Sequence, residues 1–160
     1  MPTDTHQLEI TTPSETEIAL ERAFDAPREL VFAAFTDAAH LPRWLTGPEG
    51  WTMPVCEIDL REGGAWRVLF RNGDGEEMEI TGVFKEIKPP EKVVQTERWG
   101  GDWPETLQTT TFAQDGERTI VTQTLLYPST EARDKALASG MKEGTSVSYD
   151  RLAEYLASQG

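Results

Sequence analysis

The segment that decides the fold is residues 141–157, MKEGTSVSYDRLAEYLA. Its apolar and small residues recur at steps of three and four, which is the spacing of one face of an α-helix. The C-terminal half of that face is apolar, whereas the N-terminal half carries Gly144, Thr145 and Ser148. A glycine inside a helix costs about 1 kcal/mol relative to alanine, so Gly144 indicates a bend or open space beside the helix. We therefore predict one long helix with a pocket next to its small residues.

The residues before this helix are typical of a meander of short strands. Apolar and polar side chains alternate in seven runs, and turn residues such as Glu62-Gly63-Gly64 and Asp115-Gly116 separate them. Regular spacing and short turns favour antiparallel pairing of consecutive strands. The sequence thus predicts an α+β fold in which a seven-stranded antiparallel sheet grips the long helix. The predicted strands are residues 15–24, 53–60, 65–71, 78–87, 93–99, 106–112 and 119–126.

Two short helices are predicted between the first and second strands. Asp25 is placed to cap the first of them, and Pro27 suits its first turn because its missing N–H has no partner there anyway. Residues 40–44 have the pattern of the second short helix. Another short helix, capped by Ser129, is predicted to end at Ser139, just before the long helix.

The length and charge of the chain limit what it can do. At 160 residues it fits one domain, and we predict a flexible lead-in at residues 1–14 before a single domain at residues 15–160. The net charge is -13, which disfavours nucleic acid and anionic membrane surfaces as partners. No apolar run approaches the roughly 20 residues that cross a bilayer, so no membrane insertion is predicted. The polar N-terminus lacks the pattern of a secretion signal, which favours a cytoplasmic protein.

Metal and nucleophile chemistry find little support in the sequence. Cys56 is the single cysteine, and its alternation with apolar neighbours is typical of a core position. His6 and His40 are the only histidines, and no ligand spacing joins either of them to Cys56. The Gly63-Gly64 pair belongs to a strand turn rather than to the start of a helix, and no nucleophile-elbow motif is present. We predict no metal site and no cofactor.

Alternation within the strands indicates which side chains face inward. The inward faces mix aromatic, aliphatic and hydroxyl groups, as expected of a lined cavity rather than a dry core. The five tryptophans would stack on a flat ligand or else pack in the core and anchor loops. The predicted cavity walls are Trp44, Trp66, Val68, Phe70, Met78, Trp99, Thr109, Thr111, Met141, Thr145 and Ser148.

The candidates for acid–base chemistry are carboxylate, guanidinium and phenol groups. A carboxylate that faces an apolar pocket would have a raised pKa and could transfer protons. The alternative is that these side chains point to solvent or form cross-strand pairs, which contribute about 0.2–1 kcal/mol each. The residues in question are Glu57, Asp59, Arg67, Glu97, Arg98, Tyr127 and Tyr149.

Four segments together resemble one protein family. They are residues 24–51, FDAPRELVFAAFTDAAHLPRWLTGPEGW; residues 56–71, CEIDLREGGAWRVLFR; residues 73–99, GDGEEMEITGVFKEIKPPEKVVQTERW; and residues 137–156, LASGMKEGTSVSYDRLAEYL. The chain resembles the activator-of-Hsp90-ATPase-homologue branch of the START-like, or SRPBCC, superfamily over residues 15–157. The resemblance implies the helix-grip fold of START-like and Bet v 1-like proteins, with a hydrophobic ligand cavity between sheet and helix.

Two positions depart from the pattern of that family. The residue after Gly144 is commonly tryptophan in close bacterial relatives and is Thr145 here. Trp44 is usually followed by a second aromatic residue, and here Leu45 follows it. Both changes alter the volume or polarity of the implied cavity, so the ligand of a relative should not be transferred to this chain.

Three functions stay open at the level of sequence. The first is binding of a small hydrophobic molecule, lipids among them, with desolvation contributing about 25 cal/mol per Å² of apolar surface. The second is an enzyme of the cyclase, dehydratase or hydrolase kind, which needs an ionisable side chain in the cavity. The third, suggested only by the family name, is an Hsp90-type co-chaperone or stress-response interaction module. A homodimer through an exposed edge strand is also open.

Overall fold

The computed structural model describes residues 7–45, 50–100 and 104–159. The described strands are β1 (Glu9–Thr11), β2 (Glu17–Phe24), β3 (Thr52–Ile58), β4 (Ala65–Arg71), β5 (Glu77–Lys88), β6 (Lys92–Trp99), β7 (Thr106–Asp115) and β8 (Arg118–Leu126). The described helices are α1 (Arg28–Thr36), a 3-10 helix (Leu41–Arg43), α2 (Thr130–Leu137) and α3 (Met141–Gln159). No helix of these ranges is long and apolar enough to cross a membrane.

The strands form one antiparallel sheet in the order β1-β2-β8-β7-β6-β5-β4-β3. Consecutive strands from β3 to β8 pair with one another, as their short turns predict, and β8 returns beside β2. The chain between β2 and β3, which holds α1 and the 3-10 helix, joins distant parts of the sheet. This arrangement, with α3 packed on the sheet through Tyr149, Leu152 and Leu156, is the predicted helix-grip fold.

The predicted count of seven strands is corrected to eight. The additional strand, β1, lies inside the predicted flexible lead-in and pairs with β2, with Ile10 opposite Leu20. Ile10 is half-buried and packs on a small apolar cluster that contains Ile18 and Leu20. A strand of three residues with one apolar side chain is too short to show an alternating pattern, so its only signal is the partner that it pairs with.

The predicted cap of α1 is also corrected. The helix begins at Arg28 after an extended Pro27, and no side chain of that N-cap residue forms a capping bond. Instead, the Arg28 N–H donates to Oε1 of Gln114 on β7 at 2.8 Å. The cap predicted for α2 is confirmed, because the Ala132 N–H donates to Oγ of Ser129 at 3.1 Å.

A buried arginine attaches α3 to the sheet. Arg22, on the same side of β2 as Leu20, donates from Nη1 to the backbone carbonyl of Tyr149. Its Nη2 lies 3.7 Å from Oδ1 of Asp150, and its guanidinium lies 4.8 Å from the centre of the Phe24 ring. These contacts fix the middle of α3 over β2, and the N-terminal half of the helix extends from there across a cavity.

Candidate functional site

A cavity of about 300 Å³ lies between α3 and the sheet. Met78, at the rim of this space, is 37% exposed, whereas Trp44 is only 1% exposed. The helix side of the cavity includes Gly144, where an added Cβ would meet no atom within 4 Å. Nine of the side chains predicted to form its walls do line it: Trp44, Trp66, Val68, Phe70, Met78, Trp99, Met141, Thr145 and Ser148.

The placement of Thr109 and Thr111 in the wall is wrong. The residues of β7 that line the cavity are Gln108, Thr110 and Phe112, and the two predicted threonines point to the other face of the strand. Residues 108–111 are all polar, so this run has no alternation of apolar and polar side chains to indicate which of them face the cavity. The available signal was Phe112, a buried aromatic residue that shares its side of the strand with Gln108 and Thr110.

The apolar wall of the cavity is formed by β3, β4 and β5. Trp66 lies at its centre, and its indole Nε1–H donates to the backbone carbonyl of Thr96 at 3.1 Å. That bond passes beside Gly82, where an added Cβ would lie 1.9 Å from the Thr96 oxygen and 2.4 Å from the indole nitrogen. The absence of a side chain at Gly82 therefore allows the Trp66 ring to lie flat on β5. The other side chains of this wall are Ile58, Val68, Phe70, Met78, Ile80 and Phe84.

One end of the cavity is closed by aromatic side chains from the segment between β2 and β3. Trp44 donates from Nε1 to the Ala34 carbonyl at 2.9 Å, and its ring lies 4.8 Å from that of Phe35. Tyr149 of α3 packs 6.0 Å from both rings. Trp51 lines the cavity as well, although its loop position favoured an anchoring role. Trp103 lies outside the described residues.

The polar wall is formed by β6, β7 and β8, and the sequence did not reveal it. Gln95 pairs directly with Gln108, and Thr110 pairs directly with Gln123. Gln123 donates from Nε2 to Oγ1 of Thr110 at 3.4 Å and accepts a hydrogen bond from the Tyr149 hydroxyl. Amide and hydroxyl groups that can donate and accept are therefore present on three adjacent strands, beside the apolar lining side chains Val93, Trp99, Phe112 and Leu125 of the same strands.

Glu97 supplies the one carboxyl group among the described side chains that line the cavity. Its Oε1 accepts a hydrogen bond from the Trp99 indole at 2.7 Å. Burial raises the pKa of the Glu97 carboxyl, and the Trp99 hydrogen bond lowers it only in part. Part of the Glu97 surface remains accessible, so the carboxyl can meet a molecule in the cavity.

Two tyrosines lie near this carboxyl and stay neutral. Burial, followed by the Glu97 charge, raises the pKa of Tyr127 to about 12. Burial also raises the pKa of Tyr149, against the opposing effect of Arg22. Both phenols are therefore uncharged at neutral pH, and neither adds a negative charge beside Glu97.

Other candidates for acid–base chemistry lie on the surface. Arg67 donates to Glu57 at 2.9 Å and to Glu79 at 2.6 Å across exposed strands. Asp59 pairs with Arg61 at 2.9 Å, outside the cavity. Exposed pairs of this kind contribute little to stability, because solvent and salt screen the charges. They stabilise the sheet slightly and have no place in the site.

Cys56 and His40 do not form a reactive centre. Burial, and secondarily Asp37, raises the pKa of the Cys56 thiol to about 11, so it stays protonated. The ring nitrogen Nδ1 of His40 lies 2.5 Å from the Tyr155 hydroxyl, which ties the 3-10 helix region to α3. Within residues 7–45, 50–100 and 104–159, no group of three or more metal-ligating side chains is found.

Known proteins resemble this chain in sequence and in structure. The model of the family described as Activator of Hsp90 ATPase homolog 1-like protein matches residues 25–157. A crystal structure of a Rhodobacter sphaeroides protein is 30% identical with a TM-score of 0.91, over 95% of this chain and 99% of that one. The AHSA1 protein of Silicibacter pomeroyi is 27% identical with a TM-score of 0.75, over 90% and 99% of the two chains. A search of curated proteins found no significant match.

Proposed function

This chain belongs to the family of Activator of Hsp90 ATPase homolog 1-like proteins, and from that premise we propose that it binds a small hydrophobic molecule between its sheet and α3. The observation that carries the proposal is the cavity of about 300 Å³ beneath Gly144 and Thr145. Its size lies at the lower end of the range for small-molecule sites, about 300–1,000 Å³. The ligand is therefore compact, of the size of fused aromatic rings rather than of a long acyl chain.

Burial of apolar surface supplies the binding energy in this proposal. Each Å² of apolar ligand surface removed from water contributes about 25 cal/mol. The rings of Trp66 and Trp99 offer flat faces on which an aromatic ligand can stack. Polar side chains on β6–β8 then fix the orientation of the ligand.

Isothermal titration calorimetry with 2-naphthol tests the proposal. We expect one saturable site with a dissociation constant below about 1 mM. The heat capacity should decrease on binding, because apolar surface leaves water. If 2-naphthol gives no saturable heat at any temperature, the proposed function is wrong.

A proton-transfer enzyme is the second candidate, because Glu97 meets its requirement for an ionisable side chain in the cavity. The carboxyl would hold the transferred proton, and the amides beside it would orient a carbonyl. Mass spectrometry of a bound compound, recovered after incubation with the protein, distinguishes binding alone from catalysis. Recovery of the compound unchanged supports binding alone, whereas conversion that disappears in Glu97→Gln supports catalysis. The co-chaperone function and the homodimer stay predictions from the sequence.

A further inference from the structure

We infer that the ligand is an uncharged molecule with hydrogen-bonding oxygen atoms along one edge, and that Glu97 forms a hydrogen bond with that edge. The inference rests on the proposed function, since it names the chemical class that the same cavity accepts. It would exclude fatty acids and other anionic lipids as the natural occupants.

The first reason is that the two sides of the cavity wall differ in polarity. Apolar side chains lie on β3–β5, where Trp66, Val68 and Ile80 are each less than one-tenth exposed. The polar lining side chains lie on β6–β8, among apolar ones, and there Gln95 faces Gln108 across the strand pair. A molecule that is apolar on all sides would cover the half-buried Gln95 amide and the buried Gln108 amide without offering them a hydrogen bond, which is costly. The wall therefore favours an occupant with an apolar body and one polar edge.

The second reason concerns the charges around the cavity. Among the described lining residues there is no lysine, arginine or histidine, so a ligand carboxylate would find no counter-ion. Arg22 of β2 is not among the lining residues, and its guanidinium contacts the Tyr149 carbonyl and Asp150. Transfer of an unpaired anion from water into such a site is strongly unfavourable. An uncharged ligand avoids this cost.

The third reason is the set of groups that surround the Glu97 carboxyl. Its Oε1 already accepts from Trp99, and in the described part of the chain no other side chain donates to its carboxyl. From β7, Thr106 and Gln108 are uncharged neighbours, while Tyr127 and Tyr149 approach from the end of β8 and from α3. Because Glu97 is buried without a cation beside it, the pKa of its carboxyl is raised and its protonation is shifted toward the neutral acid. A neutral carboxyl can donate its proton in a hydrogen bond to a carbonyl or hydroxyl oxygen of the ligand.

Three probes of matched shape test the inference: 2-naphthamide, 2-naphthoate and 2-naphthamidine, which are neutral, anionic and cationic at pH 7. In calorimetry we expect 2-naphthamide to bind, and 2-naphthoate to bind at least about 100-fold more weakly because its charge is unpaired. The cationic amidine should also bind more weakly than the amide. Equal binding of amide and naphthoate, or tightest binding of the amidine, would overturn the inference.

The same experiment separates the inference from the function on which it rests. If 2-naphthol binds and 2-naphthamide does not, the cavity accepts apolar molecules but the proposed polar edge is wrong. If neither compound binds, both the function and the inference fail.

A pH series with Glu97→Gln tests the role of the carboxyl independently of ligand. Because the pKa of Glu97 is raised in the folded chain, the unfolded chain releases this proton first as the pH rises. The melting temperature of the wild type should therefore fall, relative to Glu97→Gln, from about pH 4.3 upward until the folded carboxyl ionises. The exposed Glu62→Gln serves as the control and should follow the wild type. Parallel curves for wild type and Glu97→Gln would show that Glu97 is solvated and would contradict the inference.

Discussion

The Gly82→Ala variant should lose about 3 kcal/mol or more of its free energy of unfolding. The added methyl group would lie 1.9 Å from the backbone oxygen of Thr96, far inside van der Waals contact. It would also lie 2.4 Å from the indole nitrogen of Trp66 and so would displace the hydrogen bond from Trp66 to Thr96. Neither β5 nor β6 can relieve the contact without breaking their pairing. The substitution therefore damages the fold and the apolar wall together.

Urea unfolding measures this effect, and Gly73→Ala is the matched control. An added Cβ at Gly73 meets nothing within 4 Å, so that variant should stay within about 0.5 kcal/mol of the wild type. The tryptophan emission of Gly82→Ala should also shift to the red as the Trp66 ring becomes exposed. A Gly82→Ala protein with wild-type stability would mean that Trp66 does not lie against β5 as described.

The Thr145→Trp variant should lose binding of 2-naphthol by at least about 100-fold, equivalent to two steps of 1.4 kcal/mol. Thr145 lies on the cavity face of α3, beside Gly144, so an indole at this position would occupy the space that the ligand needs. The fold should persist, because the added ring gains apolar burial of about 25 cal/mol per Å². The melting temperature is thus expected to stay the same or to rise while affinity falls.

Val147→Trp is the control for the added tryptophan. Val147 lies on the same helix but is 41% exposed, away from the cavity. We expect this variant to bind 2-naphthol as the wild type does in calorimetry. Loss of affinity in both variants would indicate a general disturbance of α3, and retention in both would place the binding site elsewhere.

The sequence was sufficient for the fold because regular alternation and turn residues locate strands without long-range information. The bounds of β4 agree with the prediction at both ends, and α3 begins at Met141 as expected. The features that the sequence did not predict depend on contacts between residues that are separated in the chain. The strand at Ile10 exists through its pairing with Leu20, and the cap of α1 comes from Gln114, 86 positions away from Arg28.

The cavity wall could be predicted only where apolar side chains define a face. Trp66 and Val68 alternate clearly, and the structure places both in the cavity. The polar half was not predictable, because Gln95, Gln108 and Gln123 have the composition of solvent-facing strand positions. The placement of these amides in the cavity wall under α3 is a property of the assembled sheet and helix.

The most direct test is a crystal structure of the protein grown with 6-bromo-2-naphthol, in which the anomalous signal of bromine locates the compound. We expect a bromine peak between α3 and the apolar wall near Trp66, with the hydroxyl group directed toward β6–β8. Bromine found only at the protein surface, with Trp and Met side chains filling the space beside Thr145, would contradict it.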